Sequence, residues 1–152
     1  MIIRNATIQD TTEMVALLKQ SIGERLTPKT EEYFLWKHAK NPFGKSKMIV
    51  AVDNGKIIGL RTFMYWEWKS ATEKVTAVRA VDTATDPAFQ GKGIFRKLTL
   101  QAVDECKAEG TGIVFNSPNP VSMAGYLKWD GRLWADCPYT LPLAACCLHR
   151  TQ

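Results

Sequence analysis

The chain has 152 residues, of which 45% are hydrophobic and 23% charged, with a formal net charge of +5. That is enough chain to bury one core, so a single domain over residues 1–152 is expected. The composition is that of a soluble globular protein, and no apolar run reaches the length of a membrane span. Met1-Ile2-Ile3-Arg4 lacks the basic-then-apolar layout of a signal peptide. The four cysteines (Cys106, Cys137, Cys146 and Cys147) are too few and too unevenly placed for a disulfide framework. Reduced thiols and a cytoplasmic location are expected. The Lys and Arg residues are scattered rather than clustered, so the charge reads as a surface biased toward an anionic ligand and not as a nucleic-acid footprint.

Residues 2–4 read as a short strand. Asp10, followed three residues later by Glu13, predicts a capping box that opens a helix carrying Met14, Leu17, Leu18 and Ile22. Gly23 ends it. Pro28 and Thr30 introduce a second helix to about Lys40, with Tyr33, Phe34 and Trp36, and Asn41-Pro42 stops it. Lys47–Val52 and Ile57–Trp68 are β-rich and flank Asp53-Asn54-Gly55-Lys56, whose Asn-Gly accepts the positive φ values of a tight hairpin turn. A turn at Ser70-Ala71 leads into a strand over Glu73–Thr85, with Val75, Ala77, Arg79, Val81 and Thr83 predicted on one face. Pro87 ends that strand.

A helix over Ile94–Glu109 buries Leu98, Ala102, Val103 and Cys106, which makes Cys106 a core residue rather than a nucleophile. Ile113-Val114-Phe115 is a short strand, and Pro120–Trp129 reads as another helix. A strand is expected from Arg132 to about Leu143. Ala144–Gln152 is open between a short second strand and a shortened end. The predicted fold class is α/β (α+β): a mixed, mostly antiparallel central sheet with helices on both faces, in the order β-α-α-β-β-β-α-β-α-β. An unfilled sheet edge near the C-terminus would invite pairing of two chains, so a homodimer is expected.

The stretch Gln90-Gly91-Lys92-Gly93-Ile94-Phe95-Arg96 joins a strand to a helix. A glycine turn opening a helix presents backbone N–H groups that no helical carbonyl reaches, backed by the positive end of the helix dipole, and so suits a phosphate or diphosphate. A P-loop is excluded. Gly93 follows Gly91-Lys92 where Ser or Thr is required after Gly-Lys, and Asp86 stands where the first glycine belongs. A dinucleotide fingerprint lacks its third glycine, since position 96 is arginine.

Gln90-Gly91-Lys92-Gly93-Ile94, preceded by Asp86-Pro87 and followed by a helix with Leu98, resembles the acyl-CoA-binding motif Arg/Gln-x-x-Gly-x-Gly/Ala of the GNAT acetyltransferase superfamily. Asn119, Ser122, Tyr126 and Lys128 are similar in spacing to that family's later motif. Trp36-Lys37-His38 with Asn41-Pro42-Phe43-Gly44 resembles a subset of the same family. The resemblance implies acetyl-CoA as co-substrate and a small-molecule amine as acceptor. It places the backbone of Thr83 and Thr85 along the pantetheine, and the N–H groups of Gln90, Gly91, Lys92, Gly93, Ile94 and Phe95 on the diphosphate. Lys92 and Arg96 would add charge, and Asn119 would bond the pantetheine arm. Phe95 departs from the small residue that usually closes the motif and reads as a ring packed beneath the turn.

Tyr126 occupies the position of the family's usual acid for the leaving thiolate. The frequent glutamate base is replaced by Ala77, which leaves Asp82 as the candidate base, with Glu67 as another, or water relays with no dedicated base. Asp82 also reads as a carboxylate that pairs with Arg79 or caps a bulge. A non-catalytic acyl-CoA-binding or sensing module is the alternative to an N-acetyltransferase. Tyr65, Trp66, Trp68 and Trp36 read as core packing, or as an aromatic wall for an acceptor. Cys146-Cys147-His149 is too compressed for zinc, and no metal is expected.

Overall fold

The computed structural model describes residues 1–24, 27–69, 71–116, 132–133 and 146–150, the last two stretches by their backbone alone. Chain order is β1 (Ile2–Asn5), a 3-10 turn (Ile8–Asp10), α1 (Thr11–Ile22), α2 (Glu31–Ala39), β2 (Lys47–Asp53), β3 (Lys56–Lys69), β4 (Lys74–Thr85), a 3-10 turn (Pro87–Phe89), α3 (Ile94–Ala108), β5 (Ile113–Asn116), β6 (Arg132–Leu133) and β7 (Cys146–Arg150). The strands form one sheet in the order β1-β2-β3-β4-β5-β7-β6. All pairings are antiparallel except β4 with β5, which is parallel. β7 lies within the stretch that the sequence left open, and it fills the edge of β5 inside the chain. The predicted helix over 120–129 lies outside the described residues.

Helices cover both faces, as the sequence pattern predicts. Ile94, Leu98, Ala102 and Cys106 of α3 pack on Ile49, Ile58, Phe63, Val78 and Val114. Met14, Leu17 and Leu18 of α1, with Phe34 of α2, pack on Val50, Ile57, Leu60 and Ala84 on the opposite face. Each such leucine or isoleucine contributes roughly 1.5–3 kcal/mol of burial energy. Burial also pushes the Cys106 thiol up to about 11, so this side chain is core and not nucleophile. Asn54 and Gly55 adopt φ of 47° and 78°, the conformation predicted for this hairpin turn.

The start of α1 differs from expectation. The Asp10 carboxylate accepts the Thr7 backbone N–H at 2.7 Å and is clamped by both terminal nitrogens of Arg4 at 2.7 and 2.8 Å. A bidentate guanidinium outcompetes a helix amide for the same oxygens. Glu13 is therefore free of any capping role and accepts the Ile57 N–H at 2.6 Å, tying α1 to the first turn of β3.

Two bulges shape the site. The first places both Ile58 and Gly59 of β3 toward α3, where the register of β2 with β3 shifts. A Cβ at Gly59 would lie 2.7 Å from Ile94 Cγ2 and 3.0 Å from Leu98 Cδ1. The missing side chain thus lets the first turn of α3 rest directly on the sheet. Gly59→Val is expected to cost about 1–3 kcal/mol by overpacking and to lift that turn. Urea denaturation reads the first effect, and a weakened CoA titration reads the second.

The second bulge lies at Asp82-Thr83, where β3 and β4 shift register between Leu60 and Thr62. Asp82 has φ of 42°. Val78 and Ala80 belong to the α3-side core and Ala84 to the α1-side core, so strand alternation reverses across the bulge. Thr83 consequently does not share a face with the odd-numbered run from Val75, as uninterrupted alternation predicts. It turns to the α3 side, where its hydroxyl accepts from the buried Arg61 guanidinium at 2.8 Å.

Candidate active site

The site is built at the end of β4. β4 and β5 pair through only three positions, Ala77 with Ile113, Val78 with Val114 and Arg79 with Phe115. On its other edge β4 stays paired with β3 as far as Thr85 opposite Gly59. Among the described residues, no strand pairs with β4 beyond Arg79 on its β5 side. Among the described residues, the β5-side edge of residues 80–85 is therefore unpaired by any strand, an edge that an extended ligand can join as an added strand. Thr85 lies on this segment, and its carbonyl accepts the Ser21 hydroxyl of α1 at 3.2 Å.

Beyond β4 the chain is anchored and then turned. Asp86 is buried; its N–H donates to the Ile58 carbonyl at 2.8 Å, and its carboxylate accepts the Ala88 N–H at 3.0 Å. The Lys56 ammonium at 2.7 Å holds that carboxyl below the usual range. Gln90 is extended, and Gly91 and Gly93 then adopt φ of 76° and 74°, a conformation that glycine reaches without a Cβ penalty. The first intrahelical bond of α3 is Lys97 N–H to the Gly93 carbonyl at 3.1 Å, so the amides of residues 94–96 precede the ladder.

The Ile94 side chain is buried in the core while its backbone forms the helix start. Phe95 packs partly buried on the α3-side core with Arg61 above its ring at 5.5 Å, so the bulky residue fits beneath the turn. Lys92 and Arg96 are exposed, and the Lys92 ammonium sits 4.5 Å over the Phe89 ring. These residues form a cationic rim around a helix N-terminus, a good seat for a diphosphate.

The sequence profile of the acetyltransferase (GNAT) domain matches residues 2–130. The chain belongs to the GNAT family. Solved structures agree on the fold. A GNAT acetyltransferase from Brucella melitensis in complex with acetyl-CoA superposes with TM-score 0.74 at 18% identity, over 99% of this chain and 88% of that one. An acetyltransferase from Clostridium acetobutylicum, solved with acetyl-CoA, gives 0.72 at 22%, over 93% and 94%. Glucosamine-6-phosphate N-acetyltransferase from Arabidopsis thaliana gives 0.66 at 21%, over 94% and 95%. Comparison with curated proteins returns no match. Among the described residues no helix is long and apolar enough to cross a membrane.

On the opposite face of this GNAT sheet, the bulge turns Asp82 toward α2. Its Oδ2 accepts from Lys37 Nζ at 2.6 Å and from His38 Nε2 at 2.8 Å. His38 is buried, and its Nδ1 meets the Ser46 hydroxyl at 2.9 Å. A carboxylate can only accept here, so Nε2 carries the proton toward Asp82 and a neutral ring accepts from Ser46 at Nδ1. Burial pushes the Asp82 pKa up, but the bonds from His38 and Lys37 and the Lys37 charge outweigh it and hold the group at about 2. A carboxylate this acidic is a poor proton acceptor near neutral pH. The geometry shows Asp82 as a carboxylate anchored by two donors on one oxygen. Its partners are Lys37 and His38, not Arg79.

Asp82 lines a small cleft between α1, α2 and β4, together with Val15, Leu18, Tyr33 and Phe34. Trp36, exposed on α2, stacks on Tyr33 at 5.8 Å. Trp66 and Trp68 lie on one face, 6.4 and 5.3 Å from Phe115, while Tyr65 on the other bonds Glu109. Packing thus accounts for Tyr65 and Trp68, whereas Trp66 is exposed. Glu67 pairs with Lys74 at 3.0 Å near the far end of the β3–β4 hairpin, away from the bulge. Tyr126 and Asn119, with Ser122 and Lys128, lie outside the described residues.

The sequence assigns no role to Arg61 or Ser46, and Lys37 and His38 appear there only within a family resemblance. The partners of His38 are 8 and 44 residues away, so no local pattern points to them.

Proposed function

We propose that this GNAT protein transfers the acetyl group of acetyl-CoA to the primary amine of a small molecule. The observation that carries the reading is the early end of β4–β5 pairing beside a glycine turn that opens α3. Acetyl-CoA supplies an activated thioester: transfer breaks its C–S bond, forms an amide C–N bond, and moves one amine proton to the thiolate or to water. The amides from Gln90 to Arg96, with the charges of Lys92 and Arg96, hold the diphosphate. The backbone of residues 80–85, Thr83 and Thr85 included, lines the pantetheine, and Asn119 is assigned to the same arm.

Asp82 and Lys37 fix the electrostatics where the amine arrives. The Lys37 ammonium disfavours a second positive charge beside it and so favours the nucleophilic free amine. Tyr126 is assigned to protonate the thiolate. The amine proton leaves to solvent, because the Asp82 carboxylate is too acidic to keep it.

At a hundredfold excess over its Kd, acetyl-CoA is expected to stabilise the protein by about 2.7 kcal/mol, a rise in Tm of roughly 5–10 °C for a chain of this size. Thiol release with a panel of amines tests turnover. Heat stabilisation without thiol release from any amine would favour the non-catalytic binding module, and absence of both would remove the reading.

A further inference from the structure

The cleft between α1, α2 and β4 is charged unevenly. Asp82 stands at one place in it, with both of its bonds on Oδ2 and a side chain that is 21% exposed, so Oδ1 is the carboxylate atom that neither bond uses. Lys29 lines the same cleft. Its ammonium donates to the Gly23 carbonyl at the end of α1 at 2.6 Å, a single neutral acceptor for a group with three donors. The adjacent Glu24 carboxylate accepts the Lys29 backbone N–H at 2.8 Å, pairs with Lys19 at 3.6 Å and also feels the Lys29 charge, but makes no hydrogen bond with the Lys29 ammonium. Between these charges the walls are apolar: Val15, Leu18, Phe34 and the Tyr33 ring. With Lys37 the cleft holds two ammonium groups against one carboxylate.

From this arrangement we infer that the acceptor is an amine that also carries an anionic group, with its nitrogen end at Asp82 and its carboxylate or phosphate at Lys29, joined by an apolar body. This rests on the acetyl-transfer reading of the same site. An acceptor with a second positive charge is disfavoured there, because Lys29 and Lys37 repel it. An acceptor with an anion gains a charge-assisted hydrogen bond in a partly desolvated cleft.

Matched pairs test the assignment: 5-aminopentanoate against pentylamine for the carboxylate, and O-phosphoethanolamine against ethanolamine for the phosphate. With acetyl-CoA saturating, kcat/KM is expected to favour the anionic member of at least one pair by about tenfold, the value of one charge-assisted contact. Lys29→Gln keeps a donor for the Gly23 carbonyl and is expected to shrink that preference about fivefold, mainly through KM; Lys29→Arg restores it. Equal or reversed preference in both pairs, or an unchanged preference in Lys29→Gln, overturns the inference.

If acetyl-CoA binds and no amine is turned over, the acetyl-transfer reading fails separately. Heat stabilisation in the presence of CoA then decides: 5-aminopentanoate or O-phosphoethanolamine must raise Tm above its partner that lacks the anion. A shift no larger than the partner's overturns the inference.

Discussion

Gly93→Val is expected to weaken CoA binding about a hundredfold while leaving the fold in place. Gly93 sits at φ 74° and ψ 10°, immediately before α3. A residue with a side chain pays about 1–2 kcal/mol to hold that left-handed conformation, and a β-branched one more. If the turn relaxes to escape the strain, the amides of residues 94–96 lose their common aim, and the loss appears in binding. Among the described residues other than its chain neighbours, no atom lies within 4 Å of a Cβ built at Gly93. The substitution therefore creates no clash with these residues, and its stability cost is limited to strain. Gly110, at the other end of the same helix, provides the control. It has φ of 86° and equally open surroundings, so Gly110→Val should lower Tm by a similar few degrees and leave the CoA titration unchanged. Calorimetric titration of both variants separates the cases. A Gly93→Val protein that binds CoA within threefold of wild type would show that this turn does not hold the diphosphate.

The features readable in the sequence share one property: their cause lies within a few residues. Asn54-Gly55 announces its own turn, and Leu98, Ala102 and Cys106 announce a buried helical face. Gly91 and Gly93 announce a break before α3. The capping of α1 is local too, yet it was misassigned, because Arg4 competes for Asp10 and releases Glu13 to β3. The acceptor side was scarcely legible. Alternation along Val75, Ala77, Arg79, Val81 and Thr83 carries no mark of a bulge, and only the tolerance of aspartate for positive φ hints that Asp82 is where the strand breaks. Once it breaks there, the carboxylate meets a lysine and a histidine 45 and 44 residues away. His38 on its own helix looks like one more buried aromatic beside Phe34, which it touches at 4.5 Å between ring centres. The charge of the cleft follows from that long-range meeting and not from any segment.

Asp82→Asn is expected to be less stable than wild type near neutral pH by on the order of 2 kcal/mol and to show a flatter acid limb. The folded Asp82 pKa is about 2, below the value of about 3.9 for an aspartate in an unfolded chain. A group whose pKa is depressed by folding stabilises the native state wherever it is ionised in both states, that is, above pH 4. That contribution is lost as pH falls from about 4 toward 2, where the native carboxylate must also take a proton. The difference of nearly two pK units corresponds to roughly 2 kcal/mol at neutral pH. Asp10 and Asp86 have depressed pKa values as well, so the wild-type acid limb is a sum, and the Asp82 share emerges only by subtraction. Urea denaturation at pH 5 and pH 2.5 gives it: the gap between wild type and Asp82→Asn should be on the order of 2 kcal/mol at the first pH and should shrink to about a third of that at the second. A gap that stays constant across both would mean that the carboxylate is not held by Lys37 and His38. The same variant separates anchoring from proton transfer. An anchored charge acts through where the amine sits, so its loss raises the acceptor KM at every pH above 4. A general base would instead impose its own pKa on kcat.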